Sequence, residues 1–502
     1  MRICSHLNRL VLFTANLIFL MCSSPVFSQT NILKEFSIQG LYCGITKSSD
    51  QGLAVVYENA HTVYLVKMDS LLNISWTKQL NISVSTDPMN IITTTDGGYI
   101  ISSLFFNGGS FRTLLIKTDS QGNTLWSYYY ERNWPVVTVG MVATATNGAV
   151  VLNNDFSIFE IDSLGNVLTS VKCSANSDVS ASSLLAFNGA YYVYGVSRTS
   201  GIADFYLTKL NASLQVVWTQ EYDGNYPSVY ATCMQKGLNN TLVLAGYIPY
   251  TSDTAFIFSV DLNGNFLWGK LYFNPGTSVF SIHTDTSGYY VLGGMLTDPT
   301  YQNSKDVLIR IHDDGTFMDA VCTGNSYASG FGAENVEEIV DGYNNDFYVL
   351  TSNFVLKSTY ETNPLCYYSN LTYSVSTFSA STVPVSFSMN SVPLVPTTVT
   401  VNSINAGLPE VNCNNSGISE SYNSSSIEVN YFSEEQILEV SSSNTMHQGS
   451  VGIFDFLGKE VVQYPIREES EKKFSLSNLP AGIYFLLVQA DANYHTLKFL
   501  KR

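Results

Sequence analysis

The 502-residue sequence predicts an all-β chain, a seven-bladed β-propeller followed by a small C-terminal β-sandwich. Three observations predict it. A turn followed by a short apolar run occurs seven times. A second turn, of the form Asp-Ser-x-Gly-Asn with a Trp after it, recurs on a spacing near 50 residues. The final segment changes to a compact pattern of short strands and tight turns. The composition agrees. Hydrophobic residues make up 45% and charged residues only 13%, which argues against a disordered chain. Acidic residues outnumber basic ones by 41 to 24, for a formal charge of −17. That excess excludes a general nucleic-acid binder, which needs clustered Lys and Arg to meet phosphates.

The first 28 residues read as an export signal. Arg2 and Arg9 supply a positive start, and Leu10 to Met21 is an apolar run broken only by Thr14, Ala15 and Asn16. The run is too short for a membrane span and lies at the N-terminus. A cut before Gln29 fits. Cys22 lacks the small preceding residue that lipid attachment requires. No second run of about 18 apolar residues follows, so no membrane span is expected after signal removal.

The propeller is expected over 29–365. Its seven apolar runs begin at Gln51, Gly97, Gly148, Gly189, Asn240, Gly288 and Asp346; examples are Gly97-Gly-Tyr-Ile-Ile101 and Gly288-Tyr-Tyr-Val-Leu292. They are short, β-branched and aromatic, and bounded by turn residues, which is strand chemistry. They are apolar at consecutive positions, as in a strand buried on both faces. The second turn leads at Asp69, Asp119, Asp162, Asn211, Asp261 and His312. Its Asp accepts bonds from the turn backbone, and its Gly supplies a positive φ. Turn geometry explains these acids better than calcium does. Trp76, Trp126, Trp218 and Trp268 follow four of the six turns, so they are expected to pack between units. About 50 residues per unit allow four strands, the plan of a propeller blade. The last unit lacks an outer strand, and a spare strand at 32–38 precedes the first. That strand is expected to complete the last blade and close the ring, leaving no long open edge.

These repeats resemble the quinoprotein-like and related propeller repeats of exported bacterial proteins, over roughly residues 31 to 360. The third and sixth units carry Thr169 and Asp319 where the Trp would stand. No adjacent Cys pair appears, and no quinone or other cofactor is expected.

Residues 366–425 are rich in Ser, Thr, Asn and Val and are expected to form extended β-structure or a covering segment, then a linker. Cys366 and Cys413 bracket this segment and form the candidate disulfide. Cys43, Cys173, Cys233 and Cys322 fall in predicted strands, as small buried residues do. The tail, 426–502, resembles the type A C-terminal sorting domain of the type IX secretion system. The matching residues are Asp455, Gly458, Lys459, Val461, Leu479, Pro480, Gly482, Ile483, Tyr484 and Lys498. One departure is Val429-Asn-Tyr-Phe-Ser433, where the family opens with a Tyr-Pro-Asn-Pro type segment. The resemblance implies a partner, the type IX machinery, and a secreted or outer-surface location reached through the periplasm of a Gram-negative bacterium.

No catalytic or metal motif is found. His61, His283, His312, His447 and His495 have no ligand at metal spacing. No Gly-x-Ser-x-Gly elbow and no P-loop occur. Glu334, Glu337 and Glu338 read as a solvated strand start. The expected ligand face gathers the loops between blades and those between second and third strands. Its candidates are Arg132, Trp134, Arg198, Tyr222, Asp223, Tyr226, Asp298 and Tyr301, which suit a glycan or protein ligand through stacking and hydrogen bonds. The function expected is non-enzymatic recognition. The alternatives are a propeller enzyme acting on polysaccharide and a structural or adhesion protein of the surface.

Overall fold

The computed structural model describes residues 32–501 except for connecting segments, the longer of which are 37–40, 132–135, 250–253, 298–302, 329–335, 342–345, 360–367, 406–409, 414–426, 433–436 and 456–459. The export signal lies outside the described residues.

The chain is all-β and forms a β-propeller. Among the described residues, seven antiparallel sheets each use four strands as their core. Blades one to six run over 41–82, 86–131, 138–174, 178–223, 230–273 and 277–323, with their four strands in chain order. The seven apolar runs of the sequence are the seven second strands, each flanked on both sides within its sheet. Blade seven uses Val336–Asp341, Asp346–Thr351 and Phe354–Thr359, then Ile32–Phe36 as its fourth strand. Leu33 pairs with Leu356 in that join. The innermost strand of each blade touches that of the next, and Val336–Asp341 touches Leu41–Lys47. The ring is therefore closed by the spare N-terminal strand, as expected.

Each innermost strand carries a β-bulge at the same place, for example between Tyr42 and Gly44 and between Val336 and Glu338. A bulge bends a strand and turns its edge, which suits seven strands converging on one axis. The residue after the bulge meets the next blade. Glu338 accepts a bond from the Ile45 backbone N–H at 3.1 Å, and Ser281 accepts one from Ile339 at 2.9 Å. At blade three this position is Gly140, where a Cβ would stand 2.8 Å from Leu184 Cβ. Glu338 thus joins the last blade to the first. It is half-buried in that contact rather than the solvated acid expected, because the bulge turns it toward blade one.

The segment after the propeller is not a separate module. Its seven short strands each add a fifth, outermost strand to one blade. They take the blades in reverse order: Tyr368–Leu371 on six, Ser374–Thr377 on five, Ser381–Pro384 on four, Ser388–Ser391 on three, Val395–Thr398 on two, Val401–Asn405 on one, and Glu410–Cys413 on seven. The boundary expected at residue 365 therefore divides a single architecture. The segment belts the propeller.

The belt is held on a seven-residue period. Phe378, Val385, Val392 and Val399 donate backbone N–H bonds to the carbonyls of Gly269, Thr219, Ser170 and Ser127, at 2.9 to 3.2 Å. Along the belt, Tyr373, Phe378, Phe387, Leu394, Val399 and Val401 are buried. Phe378 enters a cluster with Phe205 of blade four and Phe256 and Phe258 of blade five. Phe387 packs on Phe156 and Tyr206 of blades three and four. Each anchor fills a wedge between neighbouring blades, where two flat sheets diverge and leave room for a side chain.

The C-terminal strands form one hydrogen-bonded sheet. Ile437–Asp455 is long enough to pair with Ile427–Phe432 at one end, Gly482–Ala490 at the other, and Glu460–Ser475 along both. Leu438 and Val440 share a core with Val451, Ile453, Leu486 and Val488. The sequence predicts a sandwich of short strands. Hydrogen bonding links all these strands through two long ones that run through both halves, with a register break between Ser441 and Met446.

Candidate functional site

The strand order sorts the loops into two sets. The turns between first and second strands, and between third and fourth, lie at one end of each blade. The connections between second and third strands, and between blades, lie at the other. This second end is the loop face.

The turn end is structural. Asp119 Oδ1 accepts bonds from the N–H groups of Gln121 and Asn123, and Oδ2 accepts one from the Asn123 side chain. Asp69, Asp162 and Asp261 repeat this pattern. Both oxygens are engaged, as turn geometry requires. At Asp162 and Asp261, burial pushes the carboxyl up, but the bonds from Asn166 and Asn265 and the turn backbone outweigh it and hold the carboxyl below the usual range. Among the described residues, no group of three or more His, Cys, Asp or Glu is placed to hold a metal ion.

The repeated Trp packs between blades, as expected. A Cβ on Gly122 would stand 2.6 Å from Trp76 of the preceding blade. Gly264 lies likewise beneath Trp218, and Gly315 beneath Trp268. A second contact completes the joint. Tyr130, Tyr222 and Tyr272 donate hydroxyl bonds to the carbonyls of Gly165, Gly264 and Gly315, at 2.6 to 2.8 Å. Each Tyr stands four residues after its Trp, so both point from the same face of the strand. The turn glycine of the next blade is covered by the Trp and bonded by the Tyr. The sequence carries this signal as a recurring Trp-x-x-x-Tyr, which lies just beyond the turns that reveal the repeat.

This corrects the placing of Tyr222. The sequence puts it on a ligand loop, but it lies in the strand Val216–Asp223 and is fully buried. Burial pushes its hydroxyl pKa well up. Tyr226 is half-buried and stacks on Phe378 of the belt, with ring centroids 6.3 Å apart. Arg198 is exposed at the loop face, its Nη1 lying 3.5 Å from Ser180 Oγ. Asp223 ends its strand on the same face. Arg132, Trp134, Asp298 and Tyr301 lie outside the described residues, as do Cys366, Gly458, Lys459 and Pro480. The side chains of Cys43, Cys413, Asp455 and Lys498 are likewise not described, though their backbones lie in strands, as does that of Gly482. Of the other sorting-motif residues, Tyr484 is buried in the tail core and Leu479 packs against it. Cys173 and Cys322 are buried and Cys233 is half-buried.

Two features of the loop face carry no mark in the sequence. The first is an aromatic shelf. Tyr230 begins the innermost strand of blade five and pairs with Tyr247. Their rings stack at 4.9 Å with 13° between planes, and Phe280 of blade six meets Tyr247 edge-on at 6.2 Å. Tyr230 is 44% exposed, unlike the aromatics of the blade interiors. The second is a carboxylate group on blade four. Asp204, paired with Ser197, lies near Glu221 and Asp223 on the adjoining strand. Burial, then the charges of Asp223 and Glu221, push the Asp204 carboxyl up to about 6. Both features sit at strand ends beside loops, a position that apolar periodicity does not distinguish.

Residues 434–502 match the family of secretion system C-terminal sorting domains. The match lies in the tail, and it includes every motif position quoted above from Asp455 to Lys498. No curated protein matches the chain. Similar solved structures include BamB from Moraxella catarrhalis, 13% identical with a TM-score of 0.37, covering 63% of this chain and 84% of that one. The WD40 β-propeller domain of Doa1 is 11% identical with a TM-score of 0.42, covering 66% and 98%. YCF48 from Cyanidioschyzon merolae is 9% identical with a TM-score of 0.41, covering 66% and 99%. The tail marks the chain as cargo of a secretion system, bound for the cell surface or the medium.

Proposed function

We propose that this protein is a type IX secretion cargo whose propeller recognises a glycan or protein partner at its loop face without transforming it. The observation that carries the reading is the shelf of Tyr230, Tyr247 and Phe280. An aromatic held flat by a second ring offers a rigid stacking surface at little entropic cost. The formal charge of −17 favours neutral or cationic partners over polyanions. An N-terminal signal would carry the chain to the periplasm, and the tail would then direct it outward.

The test is binding to a panel of neutral polysaccharides and basic peptides by wild type and by Tyr230→Ala. A partner held by wild type should bind the variant roughly tenfold more weakly, in line with ~1.4 kcal/mol for one stacking contact. Equal binding by both would remove the shelf from the site.

A second reading rests on Asp204. A carboxyl whose pKa is raised to about 6 has the property of a general acid, and Asp223 or Glu221 would be the partner base. This reading predicts turnover of a polysaccharide that Asp204→Asn abolishes.

A further inference from the structure

We infer that the rim of the propeller is a strand-acceptor site for an extended peptide with an apolar residue at every seventh position, occupied in this chain by its own belt. Four observations carry the inference. The belt pairs with the blades along one edge only, and among the described residues no further strand lies outside it. Its ladders are short; the four-residue strands Ser374–Thr377, Ser381–Pro384, Ser388–Ser391 and Val395–Thr398 meet blades five, four, three and two. Its backbone contacts repeat with the sequence: one inward N–H bond per seven residues, from Phe378, Val385, Val392 and Val399, with Tyr373, Phe378, Phe387, Leu394, Val399 and Val401 buried against the blades. And the blades complete their four-strand plan without it, with the Trp and Tyr joints made between blades rather than to the belt.

An added edge strand gains main-chain bonds for affinity and side-chain pockets for specificity. The wedge at blades four and five takes Phe378, buried among Phe205, Phe256, Phe258 and Phe266. The wedge at blades three and four takes Phe387. A peptide that offers Phe at these two positions, with Tyr, Leu and Val at the places of Tyr373, Leu394 and Val401, fits the rim. The ligand is thus defined by the belt: Ser/Thr-rich, extended, nearly uncharged, with apolar residues at the seven-residue spacing of Phe378, Val385, Val392 and Val399.

Two measurements on the full chain test this. In wild type, hydrogen exchange should be roughly tenfold faster in 374–398 than in the third strands of the same blades, as for a segment that opens locally. Exchange of belt and blades together, at one rate, would overturn the inference. In the Phe378→Asp, Phe387→Asp double variant, a fluorescein-labelled peptide of residues 372–404 should bind roughly tenfold more tightly than to wild type. A peptide of the same composition with its apolar residues off the heptad should bind neither protein. Failure of the 372–404 peptide to bind a variant whose blade strands keep their exchange protection would contradict an acceptor site. Should the variant unfold, the exchange measurement on wild type decides alone.

Discussion

Single residues at the blade joints have defined energetic roles. The Tyr222 hydroxyl meets the Gly264 carbonyl at 2.8 Å in a buried place. Tyr222→Phe leaves that carbonyl without its partner, a loss of about 1 kcal/mol, read as a lower midpoint in chemical denaturation with unchanged slope. The glycine itself is fixed by the same joint: its φ is +84° and a Cβ would press on Gln220 and Trp218. Asp204 makes a prediction of a different kind. Its folded carboxyl titrates at about 6, above the unfolded value. Between these two values the folded chain holds a proton that the unfolded chain has released. Stability therefore falls as pH rises through that window. Thermal midpoints of wild type and Asp204→Asn, measured from below to above that window, should differ in slope in this sense; a parallel pair of curves would show that Asp204 is not perturbed. Turn acids such as Asp162 work the other way, since their stabilising bonds are lost as pH falls through the depressed folded value.

At the scale of elements, the belt is the part with the clearest consequence. Phe378→Ala removes a buried ring from between blades four and five and should cost roughly 3 kcal/mol, with loss of exchange protection centred on 374–384. The same element shows what a sequence discloses and what it withholds. The second strands of the blades are legible because burial on both faces leaves an unbroken apolar run, and the turns because Asp and Gly are needed at fixed places. The belt is hidden because it buries few side chains and exposes Ser and Thr elsewhere, so it has neither the period of a strand nor that of a helix. Its heptad, Phe378 to Val399, exists only relative to the blades it crosses. Tyr222 is hard to place from sequence for a related reason: its neighbours Asp223 and Gly224 are loop chemistry, and only the Trp218 spacing ties it to the next blade. The shelf is invisible in sequence because Tyr230 and Tyr247 lie apart along the chain and meet through strand pairing.

At the scale of the whole molecule, the N-terminal strand, the three strands of 336–359 and the end of the belt meet in blade seven. Ring closure therefore depends on segments from both ends of the propeller, and Glu338 then ties blade seven to blade one through the Ile45 N–H. Such pairing raises the sequence separation of contacts and slows folding relative to a helical chain of equal size. The tail is a separate requirement. Removal of residues 434–502 should leave the protein inside the cell envelope, detected by fractionation, while the propeller keeps its β-sheet signature in circular dichroism. Release of the shortened chain to the medium at the wild-type level would deny the tail its sorting role.

The recognition reading is tested most directly by one assay on the purified chain. It is offered to an array of neutral polysaccharides, and bound material and newly released reducing ends are measured together. Binding to at least one polymer, weakened by Tyr230→Ala and without release of reducing ends, is the predicted result. Release of reducing ends that Asp204→Asn abolishes would contradict it and make the propeller an enzyme.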